Sequence, residues 1–168
     1  MVKKRRVFEQ GHRRKYLVIL DETPEVESAL FFAASRIGHS GGQIVMLYVI
    51  EPTDFTQWAG VKDVQLEEET AKAKALFRLN RRKLDKTEGF EQISTEEVIR
   101  SGKRADEILK LIDEDEDIAI MILGASIDTR GPGPLVTSLA TGKLAGSFPI
   151  PIVVVPGNLS VDDLKAMA

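Results

Sequence analysis

"YLVILDETPEVESALFFAASRIG", residues 16–38, decides how the rest of the chain is read. Its first five residues are apolar and rich in β-formers, the pattern of a strand buried on both faces. Asp21 follows, and then the period changes. Val26, Leu30, Ala33 and Ile37 fall on one face of a helix, with Thr23 placed to cap it, Pro24 in its first turn and Gly38 at its end.

The same alternation continues outward. "IVMLYV" (44–49), "IAIMIL" (118–123) and "IPIVVV" (150–155) read as buried strands, and the more polar "TEEVIR" (95–100) as an outer one. Between them, 64–87 reads as a long helix with Leu76, Leu79 and Leu84, and 104–114 as a helix with Ala105, Ile108, Leu109 and Ile112 at helical spacing. The segment 135–147 reads as a helix with a small-residue face (Ser138, Ala140, Gly142, Ala145). There is no internal repeat. Strand–helix alternation of this kind predicts an α/β fold, a doubly wound parallel sheet with right-handed crossovers on both faces. Ligands of such sheets bind beyond the carboxyl ends of the strands at the switch point, which directs attention to Asp21, Glu51 and Gly124.

A chain of 168 residues, 43% hydrophobic and 29% charged, fits one globular domain. It has no cysteine, which excludes disulfides, thiolate catalysis and Cys-built zinc sites. No apolar run approaches the roughly 20 residues of a membrane helix, and the basic start lacks the apolar core of a secretory signal. No membrane association is expected, and a cytoplasmic location is. Residues 1–15 hold seven Lys/Arg against one Glu, although the net charge is −3, so the body is acidic. Without interleaved aromatics the basic stretch reads as a solvated leader, and no nucleic-acid partner is expected. The expected division is a basic flexible arm (1–14), the folded domain (15–157) and a C-terminal tail (158–168).

The chemical motifs thin out on inspection. "GASID" (124–128) resembles a nucleophile elbow, but Asp128 replaces the second Gly and no His follows Ser126; the two histidines are His12 and His39. "TSLATGKL" (137–144) has the Gly-Lys of a P-loop, yet Thr137 replaces its first Gly and Leu144 its magnesium-binding hydroxyl. "HSGGQ" (39–43) reads as a Gly turn, with His39 a surface residue. The acidic run "DEDED" (113–117) reads as a solvated loop, and Phe55 and Trp58 as a lid over the cleft, an apolar cover at the end of strand two or a subunit contact. More suggestive is "GASIDTRGPGPLVTS" (124–138). Its backbone amides and hydroxyls suit an anion where a helix begins, with Arg130 as a cation that Asp128 partly cancels and Asp21 across the cleft.

In the order and spacing of "YLVILDETPEVESALFFAASRIG", "IVMLYVIEP", "VIRSGKRADEIL", "IAIMILGAS" and "PIPIVVVP", residues 16–156 resemble the universal stress proteins. That resemblance implies a three-layer, five-stranded parallel sheet of order 3-2-1-4-5 and a homodimer paired through the last strand, Pro151 to Val155. It also implies a non-enzymatic stress-response role with ATP or AMP (and magnesium with ATP) at the switch point, or no nucleotide at all. The nucleotide-binding branch carries G-x2-G-x9-G-[S/T]; laid on this chain it gives Gly124, Ile127, Thr137 and Ser138. Two glycines are thus replaced by β-branched residues, which crowd a phosphate. Gly131 and Gly133 lie in the same loop and could reshape it. The resemblance matches Asp21, Val49 and Gly124 to adenine-side positions and Ser138 to the motif's final hydroxyl; Ser126, Arg130, Gly131, Gly133 and Thr137 complete the candidate nucleotide-binding residues in the loop. The alternative is a dimeric protein-interaction module of the same fold with an empty pocket. A slow nucleotide hydrolase ranks last, since no cleft His, Cys or Lys is available as base or nucleophile.

Overall fold

The strands named above assemble into one sheet, whose order in the computed structural model is β3-β2-β1-β4-β5. The structure describes residues 2–52 and 60–168. The strands are β1 (Lys15–Ile19), β2 (Gln43–Ile50), β3 (Thr95–Ser101), β4 (Ile118–Ala125) and β5 (Ile152–Pro156). Every neighbouring pair is parallel. The helices are α1 (Val26–Ser40), α2 (Val61–Asp85), α3 (Arg104–Glu114) and α4 (Val161–Met167).

Alternation along the strands divides the core into two layers. Val18, Met46 and Ile122 point to the face covered by α1, α2 and α4, joined there by Leu30, Phe77 and Leu164. Leu17, Val45, Leu47 and Met121 point to the other face and meet Ile108 and Ile112 of α3. Winding reverses between β1 and β4, and β3 and β5 are the sheet's edges.

Three local readings change. The Thr23 hydroxyl bonds to Asp21 instead of capping α1, and the helix runs past Gly38 to end at Gly41, where φ is +76°. The segment 135–147 does not form one helix. Val136–Ala140 makes a π-helical turn and Ala145–Ser147 a short 3-10 turn. The Thr137 and Thr141 hydroxyls bond back to Gly133 O and Thr137 O, which competes with regular helix geometry, and Gly142 is a weak helix former. Ser138 and Ala145 are exposed, and the contact with the sheet is led by Val136 and Leu139, at 4% and 1% exposure, with Ala140 packed beside them. Beyond β5, α4 opens on a capping box in which Ser160 and Asp163 bond each other's backbone amides.

The two charge runs meet. Lys3 N–H donates to Asp113 Oδ1 (3.1 Å), His12 Nδ1 pairs with Asp117 Oδ1 (2.6 Å) and Lys15 Nζ with Asp115 Oδ2 (2.7 Å). Arg5 Nη1 donates to the carbonyls of Ile112, Asp115 and Ile118 at 2.6, 3.0 and 3.1 Å. Residues that read as a solvated leader and a solvated loop therefore answer each other's charge, with Arg5 closing the carboxyl end of α3.

Candidate functional site at the sheet's switch point

The carboxyl ends of β1 and β4, the start of α1 and the segment 132–136 enclose a cleft lined by Asp21, Thr23, Glu25, Gly124, Gly133 and Pro134, among others. Asp21 leaves β1 and folds back: its Oδ1 accepts the Thr23 N–H at 2.8 Å and the Thr23 hydroxyl. This fixes the carboxylate in a turn and leaves Oδ2 without a hydrogen bond among the described residues. Opposite, Gly124 packs on the start of α1. A Cβ there would stand 2.6 Å from the Glu25 carbonyl carbon and closer still to its oxygen.

The loop after β4 is internally bonded. Ser126 N–H donates to Pro132 O at 2.9 Å, and the Ser126 hydroxyl accepts the Asp128 N–H at 3.1 Å. Gly131 and Gly133 have φ of +126° and +101°, so the RGPGP turn needs glycine at both. Thr137 donates its hydroxyl to Gly133 O at 2.9 Å, and Ser138 lies 3.5 Å from Leu135 O. Arg130 binds Asp128 through two N–H groups at 3.0 and 2.7 Å, with its side chain 89% exposed. That pairing holds the Asp128 carboxyl below the usual carboxylate range and turns the loop's cation away from the cleft.

Of the residues singled out from sequence, the structure brings Asp21, Gly124 and Gly133 to the cleft wall. Ser126, Gly131, Thr137 and Ser138 belong to the loop behind it, and Arg130 points to solvent. Val49 is 6% exposed and packs in the α3-side core, away from the cleft. The motif reading does not include Glu25, Pro132 or Pro134; only Glu25's place four residues after Asp21 hinted that it would sit where β1 turns into α1. Phe55 and Trp58 lie outside the described residues. The enclosed space is about 20 Å³, room for about one water molecule. A bound nucleoside would have to displace the Pro132–Pro134 side.

Beside the cleft, the Tyr48 hydroxyl of β2 donates to Glu69 Oε2 at 2.7 Å, and Lys72 Nζ lies 3.6 Å from Glu69 and 3.2 Å from Glu22. These contacts tie α2 to the loop that follows β1. Burial first, and then Glu69, keep the Tyr48 phenol protonated far above its ordinary range. A raised folded-state pKa adds stability that is complete below about pH 10 and lost as pH rises toward the folded value. Tyr48→Phe should cost about 1 kcal/mol at neutral pH. Urea unfolding across the alkaline range should show a shallower fall for the variant than for the wild type.

The universal stress protein family model matches residues 12–156. The chain belongs to the universal stress protein family. Among solved structures, the universal stress protein UspA from Lactobacillus plantarum superposes with a TM-score of 0.63 at 19% identity, covering 87% of this chain and 99% of that one. A universal stress protein in complex with cAMP gives 0.56 at 18%, covering 84% and 96%. One from Archaeoglobus fulgidus in complex with dAMP gives 0.51 at 16%, covering 84% and 97%. At these identities the likeness is one of fold. No sequence among the curated proteins matches significantly. Among the described residues of this universal stress protein, no helix is long and apolar enough to cross a membrane.

Proposed function

We propose that this universal stress protein is a non-enzymatic, cytoplasmic regulator that senses adenine ligands at the switch point and works as a homodimer. The observation that supports this reading is Asp21 Oδ2, without a hydrogen bond among the described residues, opposite the glycine-bearing loop at the β1–β4 reversal. The cAMP and dAMP complexes of similarly folded proteins support it. The cleft lining contains no His, Lys or Cys among the described residues, which favours binding over catalysis. For the dimer, the support is an apolar edge strand: Val154 on β5 is 40% exposed beside Phe148, Pro149 and Ile152.

Binding should be weak toward phosphate. Ile127 and Thr137 replace glycines, and each lost backbone bond to a charged group costs about 1.5–3 kcal/mol. Two such losses move an affinity from about micromolar to about millimolar. Calorimetric titration with ATP, ADP, AMP and adenosine should show adenosine binding at least as tightly as ATP. Micromolar ATP binding that vanishes with adenosine would refute the reading of the loop. A second reading, an interaction module with a permanently closed cleft, is favoured by the small cavity and predicts no binding of any of the four.

A further inference from the structure

We infer that Glu25 is the specificity-determining residue of the cleft, a fixed negative charge that turns away phosphate-bearing adenine ligands and admits uncharged ones. The inference rests on the adenine-site reading above and deepens it. Glu25 lines the cleft. Its Oε1 lies 3.5 Å from the point where a Cβ on Gly133 would stand, and the Ser126 Cβ lies 4.0 Å from that same point. The carboxylate therefore sits against the Gly133 turn of the loop on the cleft wall.

Among the described residues its charge is unanswered. Neighbouring acids have partners: Asp21 has Thr23, Glu22 has Lys72, Glu27 lies 4.0 Å from Lys83, and Asp128 has Arg130. Among the described residues the Glu25 side chain has no hydrogen bond and no ion pair, and the one cation of the loop, Arg130, is committed to Asp128. The Glu25 main chain is also held. Its carbonyl oxygen accepts from Ser28 and Ala29 N–H and packs on Gly124, so the carboxylate cannot leave with its backbone unless α1 lifts off β4. A phosphate entering here meets a like charge a few ångströms away in a half-dry cleft, which weakens binding about ten- to hundredfold.

The test is titration of wild type, Glu25→Gln and Glu27→Gln with AMP and with adenosine, in a chelator so that no divalent cation bridges carboxylate and phosphate. Glu27→Gln removes the same charge from α1 outside the cleft. Glu25→Gln should tighten AMP about ten- to hundredfold and change adenosine less than about threefold, while Glu27→Gln leaves both within about threefold. If adenosine binds but AMP gains nothing from Glu25→Gln, the role of Glu25 is overturned and the adenine site stands. If neither ligand binds any of the three proteins, both are overturned. Wild type alone gives an independent readout should the variant fail to fold. Its AMP affinity should rise as salt increases to about 0.3 M, with adenosine unaffected; a flat or falling AMP response overturns the inference.

Discussion

Gly124→Ala should lower the melting temperature by about 6–12 °C. The added Cβ meets the Glu25 carbonyl group at a distance no side chain can relieve, because both partners are backbone. Relief requires the start of α1 to move off β4, a shift that disturbs the packing of Val26 and Ala29. Overpacking of this sort costs about 3 kcal/mol, and for a chain of this size each kcal/mol is worth about 2–4 °C. Gly38→Ala supplies the contrast. Gly38 lies inside α1, and a Cβ there has nothing within 4 Å, so only helix propensity changes. It should raise the melting temperature by about 1–4 °C. Calorimetric melts of the two variants test both statements. Equal effects would show that Gly124 is not a packing glycine.

Val154→Lys should weaken the proposed dimer by about a hundredfold or more. In an isologous pair about a twofold axis, each residue near the axis meets its own copy, so one substitution places two ammonium groups together. It also removes apolar area from a strip formed with Phe148, Pro149 and Ile152. The monomer should stay soluble, since lysine on an edge strand discourages indiscriminate pairing. Sedimentation velocity over a concentration series reads the change directly. A wild-type dimer whose dissociation constant is unmoved by the substitution would place the interface elsewhere.

Repetitive features of the fold were legible in the sequence. Buried parallel strands are continuous apolar runs, so β2 was visible within a residue at each end, and α3 matches its helical period from 104 to 114. The resemblance to universal stress proteins supplied the strand order. Weaker signals were overridden or overlooked. Ser160 and Asp163 have capping-box spacing, yet the segment after β5 read as a tail; in the structure it forms α4, with Leu164 buried. The hydroxyl-rich 135–147 has helical spacing, but Thr137 and Thr141 bond to the backbone and interrupt it. The cleft was legible in outline only. Asp21 and Gly124 stand at strand ends and could be found by counting, whereas Glu25 reaches the cleft through a close approach of α1 to β4 that no local pattern announces. Arg130 was legible in part. Its charge offers a phosphate ligand that Asp128, two residues away, was expected to cancel in part, and the structure commits the guanidinium to that carboxylate.

The Arg5 cluster has a consequence for the order in which the molecule is built. Arg5 and the carbonyls it joins are separated by 107 to 113 residues. Closing so long a loop costs entropy that only an assembled sheet can offset, so this contact forms after α3 has docked and β4 has paired with β1. Lys3 and Arg5 are then among the last residues to be placed. The same ordering holds in reverse under native conditions: this seam sits at the low-energy end of local opening, and it can part while the rest of the sheet stays closed.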